Sequence, residues 1–152
     1  MHSLNRLQGP VISLFRIVVG LLFTAHGIAS LFGILGGATG THRSLPMGAW
    51  PSWWAALIQL IAGILVLVGL LTRPAALLAS GSMAYAYFTV HQERALLPIQ
   101  NGGDLAALFC WSFLLVAVLG PDRFALDTAI AAGSRTAQRS GWTPASQAVK
   151  TP

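Results

Sequence analysis

Charged side chains are scarce in this chain: they make up 9% of its 152 residues, against roughly 25% in a typical soluble domain. A surface so poor in charge does not suit a water-soluble fold. Cysteine is scarcer still. Cys110 stands alone, so the chain can form no internal disulfide, no Cys-x-x-Cys pair and no cysteine-ligated iron–sulfur cluster. It also lacks a Gly-x-Gly-x-x-Gly turn after a strand, a phosphate loop and a zinc-protease helix motif. If electrons reach this protein, a partner has to deliver them.

What fills the chain instead is apolar: 55% of the residues are hydrophobic. They gather into four stretches at about 11–32, 53–71, 74–92 and 104–120. A helix of about 20 apolar residues crosses the roughly 30 Å hydrocarbon core of a bilayer. Backbone polar groups inside lipid must be satisfied within the segment, which makes such spans helical. The expectation is an all-α fold, a bundle of four transmembrane helices forming one domain over 1–133, followed by a polar, disordered cytoplasmic tail over 134–152. The first apolar run is longer than the roughly 7–15 residues of a signal-peptide core and contains Arg16. It is read as a retained membrane helix.

The net charge of +5 is distributed unevenly. With four spans, Arg6, Arg73, Arg123, Arg135, Arg139 and Lys150 share one side, while Arg43 and Arg94 lie on the other. The positive-inside rule puts both termini in the cytoplasm of a plasma-membrane, multi-pass protein. This excess is an orientation signal with some affinity for anionic headgroups, and no nucleic-acid-binding stripe is present. Arg16 is read as an anchor reaching for the cytoplasmic interface. Asp122 is read as the cap of a short surface helix over 123–132. Trp50, Trp53 and Trp54 follow the long, glycine-rich first loop and suit an outer aromatic belt.

Several short motifs run through the domain in order. They are Arg16-Ile17-Val18-Val19-Gly20, His26-Gly27 followed by Leu31-Phe32-Gly33, and Gly69-Leu70-Leu71-Thr72-Arg73. After them come His91, Asn101-Gly102-Gly103-Asp104, and Gly120-Pro121-Asp122-Arg123-Phe124-Ala125-Leu126-Asp127. Together they resemble the DoxX family of membrane proteins over roughly 12–128. The resemblance implies a four-helix membrane fold and an association with redox complexes, without one agreed reaction. Ser30 stands where that family often carries a lysine, and Gln59 where it often carries a glutamate.

Helical rise of about 1.5 Å per residue assigns a depth to each polar side chain. His26, Gln59, His91, Asn101 and Asp104 come from four different helices yet fall in the same outer half of the membrane. They are the candidate substrate-binding set, with no metal site expected. Ser80, Ala84, Tyr87 and His91 follow one another at helical spacing, as do Ala56, Gln59 and Gly63, so both rows suit helix seams. Gly20 and Gly27 make a third seam, fit for an internal contact or for a homo-oligomer.

A quinone headgroup would suit such a set. Its two carbonyl oxygens need donors, its reduction consumes protons, and its tail needs an apolar slot. In that reading His26 and His91 supply donors and protons, Gln59 a further donor, and Asp104 a proton exit. A haem between His26 and His91 fits less well, since the two lie at different depths. Three functions remain open. The first is a membrane subunit of an oxidoreductase system, anchoring a redox partner and contacting quinone. The second is a non-catalytic membrane scaffold, and the third a small-solute carrier, for which four helices are few.

Overall fold

The computed structural model describes residues 2–38 and 41–140, and among them every regular element is helical. Helix α1 spans His2–Phe32, α2 Ser52–Val68 and α3 Thr72–Ala86, the last continuing into a π-helical turn over Tyr87–His91. A four-residue helix α4 (Pro98–Asn101) precedes α5 (Asp104–Leu119) and α6 (Leu126–Ser140). The four long elements expected thus exist, with shifted ends. Helix α1 starts well before 11, and α2 stops three residues short of 71. Helix α6 runs to Ser140, past the boundary set for the tail at 134, whose remainder over 141–152 lies outside the described residues. Among the described residues one helix, over Leu7–Phe32, is long and apolar enough to cross a membrane on length and composition alone, while α2 and α5 are apolar but shorter.

The four principal helices form two tight pairs, α1 with α2 and α3 with α5, joined through lighter contacts of α2 with α3 and α1 with α5. Glycine makes the first pair close. A Cβ on Gly27 would sit 2.5 Å from the Leu60 nitrogen, one on Gly20 2.7 Å from that of Leu67, and one on Gly63 2.5 Å from the Thr24 hydroxyl. Backbones this near admit no side chain between them. The Gly20–Gly27 seam is therefore an internal contact, occupied by α2. On the second pair, Ser80 donates from its hydroxyl to the Cys110 carbonyl at 2.9 Å.

Alanines pack the interior around a few large side chains, and many large apolar residues face outward. Ala62, Ala75, Ala76 and Ala79 are buried around Phe23, Val66 and Phe113. By contrast Leu108, Trp111 and Val118 on α5 are each about two-thirds or more exposed, as 66%, 70% and 70%. Leu14, Leu21 and Leu22 on α1 and Leu77 and Leu78 on α3 are likewise exposed. Contiguous apolar surface on every principal helix marks a surface covered by something other than water.

One end of the bundle is locked by Arg16, whose residue is only 2% exposed. Its Nε donates to Asp122 Oδ2 at 2.6 Å, and its terminal nitrogen donates to the carbonyls of Val66 and Leu67 at 2.6 and 2.7 Å. Those carbonyls end α2 and carry the negative pole of its dipole. Arg16 is thus a buried clamp rather than a side chain reaching for the interface. The reason is that α2 ends level with it and presents C-terminal carbonyls that lack the full set of helical partners, the Val66 carbonyl sharing Arg16 with the Gly69 N–H at 3.1 Å. Asp122 correspondingly faces Arg16 and does not cap α6, which begins four residues later; its other oxygen accepts the Phe124 N–H at 2.8 Å.

Asp127 completes the lock from α6. Its carboxylate accepts the backbone N–H groups of Leu71 and Thr72, both at 2.9 Å, and the Thr72 hydroxyl at 2.8 Å. Its own N–H donates to the Gly69 carbonyl at 2.9 Å. Leu71 is held at φ 48°, a left-handed conformation costly for a bulky residue, and Asp127 secures it while closing the N-terminus of α3. Gly69, at φ 73°, allows the α2 exit, and a Cβ there would strike that of Ala125 at 2.6 Å.

Burial opposes ionisation of Asp122, but hydrogen bonds from Arg16, the Phe124 N–H and Ser13, with the Arg16 charge, outweigh it and hold the carboxyl below its ordinary 3.8. A carboxyl depressed on folding contributes stability above its unfolded value, and that stability is lost as pH falls through the folded one. Wild type should therefore lose stability below about pH 4, and Asp122→Asn should flatten that acid limb in unfolding titrations in detergent. Arg16→Met, which removes the counter-charge of Asp122 and the Arg16 hydrogen bonds to the Val66 and Leu67 carbonyls, should cost about 3–5 kcal/mol. A loss below about 1 kcal/mol would place the pair in the class of solvent-screened contacts.

Candidate functional site

Ten residues beyond Arg16, about 15 Å along α1, His26 opens onto a cavity of about 330 Å³ where the two helix pairs part. Gln59 of α2, Met83 and Ala86 of α3, His91 of the π-helical turn, and Gly102, Leu105, Ala106 and Phe109 around the start of α5 complete its wall with Ser30. Three of the five expected site residues, His26, Gln59 and His91, thus face one space. Ser30 was not in that set, since a serine near a helix end carries no signal of its own.

His26 lies with its ring edge-on to Phe109, centroids 5.8 Å apart. Among the described residues it has no hydrogen-bond partner, so its polar atoms are available to a ligand. Phe109 belongs to a cluster with Phe23 and Phe113, which fixes the floor beneath the histidine. Ser30 and Gln59 both line this chamber. They are a pair of neutral hydrogen-bonding groups.

His91 is held more firmly. The widened π turn places its ring over Tyr87, centroids 6.5 Å apart, and π-helical turns often mark functional sites. Its Nδ1 lies 3.2 Å from the backbone carbonyl of Asn101. A carbonyl only accepts, so Nδ1 carries the proton in this contact and Nε2 of the neutral ring keeps a lone pair. His91 would therefore meet a ligand as an acceptor.

Asn101 and Asp104 play other parts. Asn101 is 3% exposed, and its amide donates to the Ala95 carbonyl at 2.9 Å while its oxygen accepts the Gly103 N–H at 2.8 Å. It builds the loop whose carbonyl orients His91 and does not line the chamber. Gly103 leaves room for Tyr87, whose ring a Cβ would meet at 2.8 Å. Asp104 is exposed in the first turn of α5, where its charge favours the positive end of the helix without lining the chamber. Depth grouped these two with the histidines, but the direction around the helix separates them. Among the described residues, no three His, Cys, Asp or Glu side chains gather to hold a metal ion.

In histidine-labelled protein at pH 8, nitrogen NMR should show His91 as the Nδ1-protonated tautomer, with Nε2 at the shift of an unprotonated nitrogen. The opposite tautomer would break the contact with Asn101 and remove the acceptor assigned to this ring.

The family model for DoxX matches residues 11–92. A Haemophilus influenzae protein of uncharacterized function is 35% identical over 132 residues, covering 84% of this chain and 96% of that protein. The Bacillus subtilis protein named "Putative oxidoreductase CatD" is 26% identical over 122 residues, covering 80% and 88%. No solved structure matches the chain.

Proposed function

This chain belongs to the DoxX family of membrane proteins, and from that premise we propose that it is a small plasma-membrane subunit of an oxidoreductase system whose outer chamber receives a quinone headgroup. The observation that carries this reading is the convergence of His26, Gln59 and His91 on one cavity between helices. The oxidoreductase in the name of the Bacillus relative supports the redox half.

The membrane arrangement in this proposal has α1, α2, α3 with its π turn, and α5 as four spans, with both termini cytoplasmic. Helix α2, at 17 residues, measures about 25 Å, close to the roughly 30 Å hydrocarbon core. The outward apolar faces support the same arrangement. The Arg16 clamp then lies near the cytoplasmic face beside Arg73 and Arg123, and the chamber lies in the outer half.

The residues suit a quinone in kind. The Gln59 amide and Ser30 hydroxyl are neutral donors for its carbonyl oxygens, and Nε2 of His91 is the acceptor a hydroxyl needs once the ring is reduced. A bound quinone supplies a two-electron, two-proton couple. The chain's part is to orient the ring, to keep water out with Phe109 and Met83, and to hold a proton at an imidazole nitrogen.

The test is a binding titration in nanodiscs with a tail-less dimethoxybenzoquinone. His26→Ala and Gln59→Ala should each weaken binding by roughly tenfold, the upper end of what one lost hydrogen bond to the ligand is worth, with thermal unfolding unchanged. Unaltered affinity, or a loss that tracks lost stability, would favour the scaffold reading instead. Mild-detergent purification from native membranes should also recover an oxidoreductase in stoichiometric amount; its absence would count against the subunit role.

A further inference from the structure

The chamber is the first of three adjoining cavities. It shares Ser30, Gln59 and Ala86 with a second of about 420 Å³. That one shares Pro51, Ala55 and Tyr85 with a third of about 360 Å³, a cleft between α2 and α3 walled by Trp54, Ile58, Leu77, Leu78 and Gly81. Polarity falls along the row, from imidazole, amide and hydroxyl at one end to indole and aliphatic side chains at the other.

Gly81 draws attention to the far end. It lies inside α3, where glycine costs about 1 kcal/mol relative to alanine, yet a Cβ there would meet nothing within 4 Å. No neighbour in the fold requires the missing side chain. Open space at a helical glycine on a cleft wall suits the approach of a ligand to the backbone.

We propose that the cleft at Gly81 holds the hydrocarbon tail of the ligand whose head occupies the His26–Gln59–His91 chamber, so that the site is built for a long-chain prenyl quinone. The inference rests on the quinone reading of the chamber. The head and tail regions meet through shared walls, which distinguishes this cleft from an isolated groove filled by bulk lipid. Contact with lipid tails is no less apolar than contact with the cleft, so the cleft acts by admitting the tail while the head stays in register.

Gly81→Leu fills the cleft from a position with free space and improves helix propensity, so the variant should fold; Leu77→Trp, at an exposed wall position, serves as the second variant. Binding of a tail-less and of a decyl-tailed benzoquinone is measured in nanodiscs at equal mole fraction in the lipid. Both variants should weaken the tailed ligand by roughly tenfold, the effect of forced overpacking, and leave the tail-less one unchanged. If the tail-less ligand binds and the tailed one is indifferent to both substitutions, the cleft holds ordinary lipid and the inference is overturned while the chamber reading stands. If neither quinone binds wild type, the chamber reading fails and takes the cleft assignment with it.

Discussion

Burying the guanidinium of Arg16 is the constraint from which the rest of this structure follows. An ion at 2% exposure is tolerable only when each donor finds an acceptor and a counter-charge stands close. Helix α2 provides two carbonyls and the chain after α5 provides Asp122. This sets where α2 must end, which brings Gly69 into its left-handed turn. It also sets where the chain must pass after α5, which brings Asp127 to the start of α3. The planar fork of arginine reaches a carboxylate and two carbonyls in different directions at once, a geometry that lysine's single ammonium does not reproduce.

A bundle tied so firmly at one end can part at the other. Gly20, Gly27 and Gly63 bring α1 close against α2, and α3 and α5 bury alanines in the core, but the two pairs touch each other lightly. The cavities lie along that parting. The π turn and the loop around Asn101 then close over it, and their hydrogen bonds position His91 instead of filling the space. The stability of this molecule and its candidate site therefore occupy opposite ends, which is why a substitution at His26 or Gln59 can be expected to leave the fold intact.

Apolar run lengths made the helical class of the fold legible, though not the 15-residue length of α6, and spacing made the seams legible: Gly20, Gly27 and Gly63 are where close packing needs them. The motifs around Gly69 and Gly120 were visible as motifs, yet nothing in them showed that they touch. Arg16 was misread for a related reason. An arginine near a helix end has the same pattern whether it reaches for the interface or clamps a neighbour. Its principal partners are main-chain carbonyls, which every residue carries and no sequence pattern announces. Asn101 and Asp104 show a second limit. Depth follows from counting residues, but the direction a side chain faces depends on helix packing, and Asn101, at the end of a four-residue helix, has too short a period to consult.

The chemistry of the chamber bears on which ligand it can serve. Its lining includes imidazole, amide and hydroxyl groups but no Asp, Glu, Lys or Arg. An ionic solute entering from water would lose its hydration and meet no fixed counter-charge, a penalty of several kcal/mol per ion. A neutral head with hydrogen-bonding oxygens avoids that penalty and can recover its bonds from Gln59, Ser30 and the histidines. An uncharged lining disfavours a carrier of charged solutes and suits a lipid-soluble, neutral ligand that reaches the chamber through the membrane.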